Sequence, residues 1–170
     1  MTVSLYEITI QVFIKELKTL SKLLNKGVAF TKEDGAKISE EKLVESRLIE
    51  DMGNLIYQIQ RVSDTSKGLA QRIGGVEPVE LKDEEKTFPD LFTRIQRTIE
   101  ILETVKKADL DAAEEKEVIL KTRSGEIKFT GKDYAIKFAI PNFYFHFVTA
   151  YALLRKEGVQ VGKSDYLGRN

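Results

Sequence analysis

Apolar residues recur at alternating three- and four-residue steps in four separate segments of this 170-residue chain, and this pattern constrains its fold most strongly. Such spacing places apolar side chains on one face of a helix, which then has to be buried against other helices. We predict helices over residues 3–26, from near or before Ser46 to residue 73, over residues 88–107 and over residues 142–156. The first stripe comprises Tyr6, Ile10, Phe13, Leu17, Leu20 and Leu24.

Glycines and a capping residue mark the predicted helix ends. Gly27 ends the first helix and the Gly74-Gly75 doublet ends the second, because glycine readily adopts the conformation that follows a helix. Thr87 is the predicted N-cap of the third helix, and Gly158 lies just past the fourth. The polar residues 29–41 are predicted to form a loop.

The segment between the third and fourth helices has a different pattern. Residues 118–120 and 127–129 predict two short strands joined by a turn at Ser124-Gly125. Residues 134–139 predict a short helix, and Pro141 breaks it because proline disfavours helix at the preceding residue.

The predicted fold class is therefore all-α: a four-helix bundle with a small β-hairpin between helices three and four. Surface scaling for a chain of 19.3 kDa gives roughly 70% burial in one folding unit. We therefore predict a single helical bundle domain over residues 1–170.

Composition excludes several functional classes. The absence of cysteine rules out disulfides, thiolate metal sites and a thiol nucleophile, and one histidine cannot form an all-histidine metal cage. The 27 basic and 27 acidic side chains show no basic block, so we expect no nucleic-acid partner. Charges interrupt the first apolar segment, so we expect neither a signal peptide nor a membrane contact, and a cytoplasmic location.

Polar side chains on two predicted helices are the candidate functional residues. Asn142, His146 and Thr149 share one stripe beside the apolar face of the last helix. Asp51 and Gln58 share a stripe that borders the apolar face of the second helix. Side chains of facing helices meet in bundle interiors, so we predict that these five residues line one pocket between helices two and four.

Residue chemistry leaves two interpretations of this pocket open. The polar side chains form a buried hydrogen-bond network, or His146 acts as a general base oriented by Asp51. The reference pKa of histidine, about 6.5, suits that catalytic role. One histidine, one carboxylate and two amides form a poor divalent-metal site, so we predict no definite cofactor. The alternative is a divalent metal that has His146 as a ligand.

Large apolar residues surround the last predicted helix. Tyr144, Phe145, Val148 and Tyr151 lie outside its two inward stripes. A helix that is apolar nearly all round is centrally buried or part of an interface. We predict a homodimer, while a pocket for a small apolar ligand would use the same residues.

Longer motifs resemble an uncharacterised domain-of-unknown-function family across essentially the whole chain. The resemblance rests on the opening Ser4-Leu5-Tyr6 with Val12-Phe13, Arg47-Leu48 with Asp51-Met52, the run from Pro141 to His146 with Thr149-Ala150-Tyr151, and the ending Leu154-Arg155, Gly158-Val159, Gly162-Lys163 and Asp165-Tyr166-Leu167-Gly168. The family resembles a branch of the DinB/YfiT-like superfamily of four-helix bundles. Its members are commonly dimeric and often bind a divalent metal through three histidines, and some branches are thiol-dependent transferases or isomerases.

The resemblance implies a metal site that this sequence only partly keeps. The position of Arg155 places the second histidine of the last helix at His146, while the first falls on Asn142. The remaining histidine would come from helix two, which offers Asp51, Gln58 and Gln60. We therefore predict a small-molecule-binding or interaction module with a degenerate metal site. The alternative is a metal- or histidine-dependent transferase or hydrolase that uses the same pocket.

Overall fold

The structure, a computed structural model, describes residues 3–122 and 125–169. This part of the chain is mostly helical and contains one two-stranded hairpin. In chain order its elements are α1 (Leu5–Ile8), α2 (Ile10–Thr31), α3 (Glu40–Val44), α4 (Leu55–Arg72), α5 (Phe88–Glu103), α6 (Lys107–Asp111), β1 (Glu117–Thr122), β2 (Gly125–Thr130), α7 (Gly131–Asp133), a π-helix (Tyr134–Ala139), α8 (Ile140–Lys156) and α9 (Lys163–Tyr166).

The third predicted helix agrees with the structure at its start. Thr87 caps α5 by accepting a hydrogen bond from the backbone N–H of Asp90, and the Asp90 carboxylate accepts one from the Thr87 backbone. This reciprocal capping satisfies two donors that the first helical turn leaves unpaired. The Thr87 cap was predictable from the sequence because capping depends on residues that are close together in the chain.

The first predicted helix is interrupted and longer than expected. It breaks at Thr9, whose hydroxyl donates to the Leu5 carbonyl 2.6 Å away, and α2 then continues to Thr31. Gly27 does not end it, so that prediction was wrong. A Cβ at Gly27 would lie 3.1 Å from the Leu154 side chain, so this glycine allows α2 to pack closely against α8. Part of the predicted 29–41 loop is therefore helical.

The second predicted helix starts about nine residues later than expected. Asn54 caps α4 by accepting a hydrogen bond from the Tyr57 N–H at 2.8 Å, and the chain from residue 45 to residue 54 is not helical. The Ser46 hydroxyl instead donates to Glu157, just beyond α8. The predicted stripe shared by Asp51 and Gln58 consequently does not exist.

The hairpin between α6 and α7 is antiparallel, as predicted, and pairs Glu117 with Thr130 through Thr122 with Gly125. Gly125 has a φ of +127°. Glycine adopts this backbone conformation readily because it lacks a Cβ atom. The other predicted turn residue, Ser124, lies outside the described residues.

Pro141 does not end a helix, in contrast to the prediction. The π-helix runs directly into α8, where Pro141 is the second residue. Proline lacks an N–H and its ring clashes with the carbonyl four residues earlier in a regular helix. The wider π-helical turn immediately before it relieves these two conflicts, so the chain remains helical.

One core joins the long helices. α4 packs against both α5 and α8, and α2 packs against α5. The Phe13 ring of α2 stacks on the Phe143 ring of α8, with centroids 4.2 Å apart. Among the described residues, no helix has the length and apolar character needed to cross a membrane.

Candidate functional site

Two polar contacts cross the interface between α4 and α8. His146 Nδ1 lies 2.7 Å from Gln58 Oε1, and Asn142 Nδ2 donates to Thr65 Oγ1 at 2.6 Å. Gln58 and Thr65 are two turns apart on α4, while Asn142 and His146 are one turn apart on α8. The order of the partners shows that the two helices run antiparallel. The contact of His146 is buried, and that of Asn142 is half-buried.

The amide of Gln58 fixes the tautomer of His146. Its Nε2 donates to the Gly53 carbonyl oxygen at 2.8 Å, so Oε1 faces the imidazole ring. An amide oxygen only accepts hydrogen bonds, so Nδ1 of His146 is the donor and carries the proton. Nε2 then holds a lone pair, and no hydrogen bond joins it to the residues that the structure describes.

Aromatic rings flank this imidazole. The Tyr57 ring centroid lies 6.0 Å away and the Phe145 centroid 5.1 Å away, and both rings meet the imidazole edge-on. Tyr57 and Phe145 are exposed, whereas His146 is only 9% exposed. The site is thus an imidazole recessed between two rings at the surface.

Burial and a nearby cation keep His146 uncharged. Burial is the larger cause and the Arg61 guanidinium the smaller one, and together they lower the pKa of His146 to about 4. Arg61 lies 5.0 Å above the Tyr57 ring centroid and forms ion pairs with Asp64, at 3.0 Å, and with Asp83. At neutral pH, His146 is therefore a hydrogen-bond acceptor and a weak base.

Two of the five predicted pocket residues do not join these contacts. Asp51 lies in the turn before α4 and is exposed, so the prediction that it shares a helical face with Gln58 was wrong. Thr149 is buried on α8, but its hydroxyl donates to the Phe145 carbonyl of the same helix at 2.7 Å.

Comparison with known proteins identifies the family. A model of a domain of unknown function, DUF1993, matches residues 5–167. The chain belongs to the DUF1993 family. Its structure is also similar to the crystal structure of a DinB family member protein from Shewanella denitrificans, with a TM-score of 0.88 and 39% sequence identity over 96% of this chain and 92% of that one. No curated protein matches the chain.

The donor set of this DUF1993 chain does not fit a three-histidine metal centre. Gln58 Oε1 accepts from the imidazole and the Asn142 amide donates to Thr65, so both amides already serve as hydrogen-bond partners between α4 and α8. Within residues 3–122 and 125–169, no three His, Cys, Asp or Glu side chains are grouped so that they could hold a metal ion. His146 alone matches the ligand positions that the resemblance implies.

A buried arginine beside this site was missed in the sequence. Arg94 of α5 has a side chain that is 1% exposed, and it forms ion pairs with Asp64 at 2.9 Å, Asp83 at 3.0 Å and Glu85 at 3.0 Å. The segment of residues 77–86 is thereby held against α4 and α5. One signal was present, since Arg94 follows Leu91 by three residues and so shares the buried face of α5, close to an acid-rich segment.

A cavity of about 540 Å³ opens beside the same segment. Glu80, Lys82, Arg94 and Arg97 are among its lining residues, and none of the five predicted pocket residues is. The cavity and the His146 site are therefore separate features of the surface.

Proposed function

We propose that this DUF1993 chain is a binding module in which neutral His146, rather than a metal ion, contacts the ligand. The hydrogen bond between His146 Nδ1 and Gln58 Oε1 carries this proposal. It assigns the proton to Nδ1 and leaves the lone pair of Nε2 for a donor group of the ligand. The contact to Gly53 holds the amide of Gln58 in this orientation.

The flanking rings indicate the chemical class of the ligand. Tyr57 is 43% exposed and Phe145 is 57% exposed, so each offers apolar surface next to the imidazole. A small ligand with an aromatic or other apolar body and one O–H or N–H donor would satisfy both features.

Catalysis by His146 as a general base has less support. A general base works best when its pKa is near the working pH, and the pKa of His146 is lowered to about 4. Asp51, the carboxylate expected to orient the ring, lies in the exposed turn, and a neutral amide contacts Nδ1 in its place. The same contacts support a degenerate rather than a working three-histidine site.

The test exploits the single histidine of the chain. Long-range ¹H–¹⁵N NMR spectra of the folded protein should show one imidazole, protonated on Nδ1, that titrates near pH 4. Gln58→Glu should raise this pKa by at least about one unit, because a carboxylate stabilises the charged ring. Gln160→Glu, an exposed amide-to-acid change, should leave it unaltered. A proton on Nε2 would contradict the proposal.

Ligand binding is tested with phenol as the probe. Phenol offers an aromatic ring and an O–H donor, while toluene offers only the ring. We expect saturable shifts of the His146 signal with phenol that are much weaker with toluene and absent in His146→Phe. Equal shifts with both probes would refute a role for Nε2, and zinc binding at micromolar concentration would favour the metalloenzyme alternative instead.

We also propose that the chain is a homodimeric four-helix bundle. Its four longest helices are α2, α4, α5 and α8. Several large apolar side chains are exposed, including Phe145, Val148, Ile119 and Ile127. Because monomers rarely leave large apolar patches in water, such residues support self-association. Sedimentation equilibrium should give twice the chain mass of 19.3 kDa, and a mass near 19.3 kDa would contradict the dimer.

A further inference from the structure

The β1–β2 hairpin has two strands, and within the described chain neither outer edge pairs with a further strand. Ile119 of β1 is 42% exposed and Ile127 of β2 is 44% exposed. An exposed edge with apolar side chains is a template for pairing with another chain, and natural proteins usually block it with charges. The hairpin does carry charges, so their arrangement decides whether pairing is blocked.

The charges of β1 are arranged symmetrically about Ile119. Glu117 lies two residues before it and Lys121 two residues after it, and all three side chains point to the same face of the strand. Antiparallel pairing of two identical strands about a two-fold axis at Ile119 therefore sets each Glu117 opposite a Lys121 of the other copy. Opposite charges directly across two strands stabilise pairing.

We propose that β1 pairs with β1 of a second copy, antiparallel and centred on Ile119, to form a four-stranded sheet across the two-fold axis. This inference rests on the proposed homodimer and names the surface that forms it. The two Ile119 side chains meet on the axis. On the opposite face, Val118 of each copy lies across from Leu120 of the other, but Val118 is already buried in its own core, so the Ile119 face supplies most of the contact.

Other registers lose these contacts. A shift of one residue turns the apolar and charged side chains of one strand to the wrong face. A shift of two residues that keeps the two-fold symmetry sets Lys121 or Glu117 opposite Ile119, so the two Ile119 side chains no longer face each other. The register centred on Ile119 combines the apolar contact on the axis with two pairs of opposite charge, and its partner is a second copy of this strand.

The charges remain available for this contact. Lys121 is 84% exposed, and its nearest ion pair, with Glu126, is long at 4.0 Å. Glu117 is 65% exposed, and its ion pair with Lys128 measures 3.8 Å. Ion pairs this long and exposed contribute little to the stability of the hairpin. Glu117 and Lys121 can therefore form closer pairs across the two-fold axis without a large loss within each copy.

Disulfide cross-linking tests the pairing directly, because the chain has no native cysteine. Residues facing each other in antiparallel strands have Cα atoms about 4.5–5.5 Å apart, within the range that a disulfide spans. In a glutathione redox buffer, Ile119→Cys should form a covalent dimer at least roughly tenfold faster than Ile127→Cys, the matched control of nearly equal exposure on β2. Equal rates, or no dimer from Ile119→Cys, would overturn the pairing.

Charge reversal provides a second test that does not require oxidation. Glu117→Lys and Lys121→Glu should each weaken the dimer roughly tenfold or more, because each sets like charges opposite each other twice. An equimolar mixture of these two variants should regain wild-type affinity, since every facing pair is again opposite in charge. Glu103→Lys, an exposed control at the end of α5, should have no effect.

The outcomes separate this inference from the homodimer itself. A wild-type protein that stays monomeric refutes both. A dimer that is insensitive to the β1 variants and is lost on Val148→Ser keeps the homodimer and refutes the strand pairing. A mixture of the two charge variants that associates no better than either alone also refutes it, provided that circular dichroism shows both variants to be folded; the cross-linking of Ile119→Cys decides the question if either is not.

Discussion

Acidification from pH 6.5 to pH 4 should destabilise the folded chain through His146. The folded-state pKa of this residue is about 4, whereas the ordinary value is 6.5, so the unfolded chain binds the proton more readily in that interval. The stabilisation from burying a neutral imidazole is complete above pH 6.5 and is lost as the pH falls toward 4. From the two pKa values the loss is about 1 kcal/mol at pH 6, about 2 kcal/mol at pH 5 and about 3 kcal/mol in full.

His146→Gln provides the comparison, because glutamine is similar in length, donates to an amide oxygen and carries no charge at any pH. Urea unfolding of both proteins at pH 7, 6 and 5 should show the wild type losing about 2 kcal/mol more than the variant between pH 7 and pH 5. Carboxylates also contribute. Hydrogen bonds from the backbone of Lys86 and from Thr87 lower the pKa of Asp90, for example, but they act in both proteins and cancel in the difference.

Parallel pH profiles for the two proteins would refute this reasoning. They would mean that the His146 ring is hydrated in the folded state, so that its pKa is close to that of the unfolded chain. The proposed recognition by a neutral Nε2 would then lose its physical basis, because the ring would be protonated over much of the range below pH 6.5.

Three further changes test other parts of the structure. Arg94→Met should cost about 1–3 kcal/mol in chemical unfolding, because the half-buried Asp64 and Glu85 carboxylates lose their charged partner, whereas Arg97→Met, an exposed control on the same helix, should cost close to nothing. Gly131→Ala should lower the free energy of unfolding by about 1–3 kcal/mol, since the added Cβ would lie 2.0 Å from a backbone carbonyl oxygen. The pair of changes Gln58→His and Asn142→His should create zinc affinity that calorimetry detects and the wild type lacks, because it adds an imidazole next to His146 on each of α4 and α8.

Much of the helical architecture was predictable because it depends on local patterns. The three- and four-residue spacing located the four long helices, and the Thr87 cap depends on residues three positions apart. The predicted start of α4 failed because apolar residues such as Met52 continue its stripe into a non-helical turn. Asn54 sets the true start of α4, because its side chain caps the helix by accepting from the Tyr57 N–H.

The sequence predicted that His146 and Gln58 share a pocket, but not that they form a hydrogen bond with each other. Helical faces place the two residues on neighbouring helices, but the direction of the amide depends on the Gly53 carbonyl, whose position is fixed by the tertiary structure. The ion pairs of Arg94 were harder to predict from the sequence. They join α4, α5 and residues 77–86, and no local rule indicates which acidic side chains fold back onto a buried arginine.

The contact with Gln58 determines which ring nitrogen of His146 is available. In a metal centre the Nε2 or Nδ1 lone pair of each histidine is used by the cation, and its other nitrogen donates to a supporting group. Here Gln58 is such a supporting group for His146: it accepts from Nδ1 and leaves Nε2 as the lone-pair donor. An imidazole held in that state, with its pKa lowered to about 4, accepts a hydrogen bond more readily than it removes a proton, and this argues for binding rather than catalysis at the site.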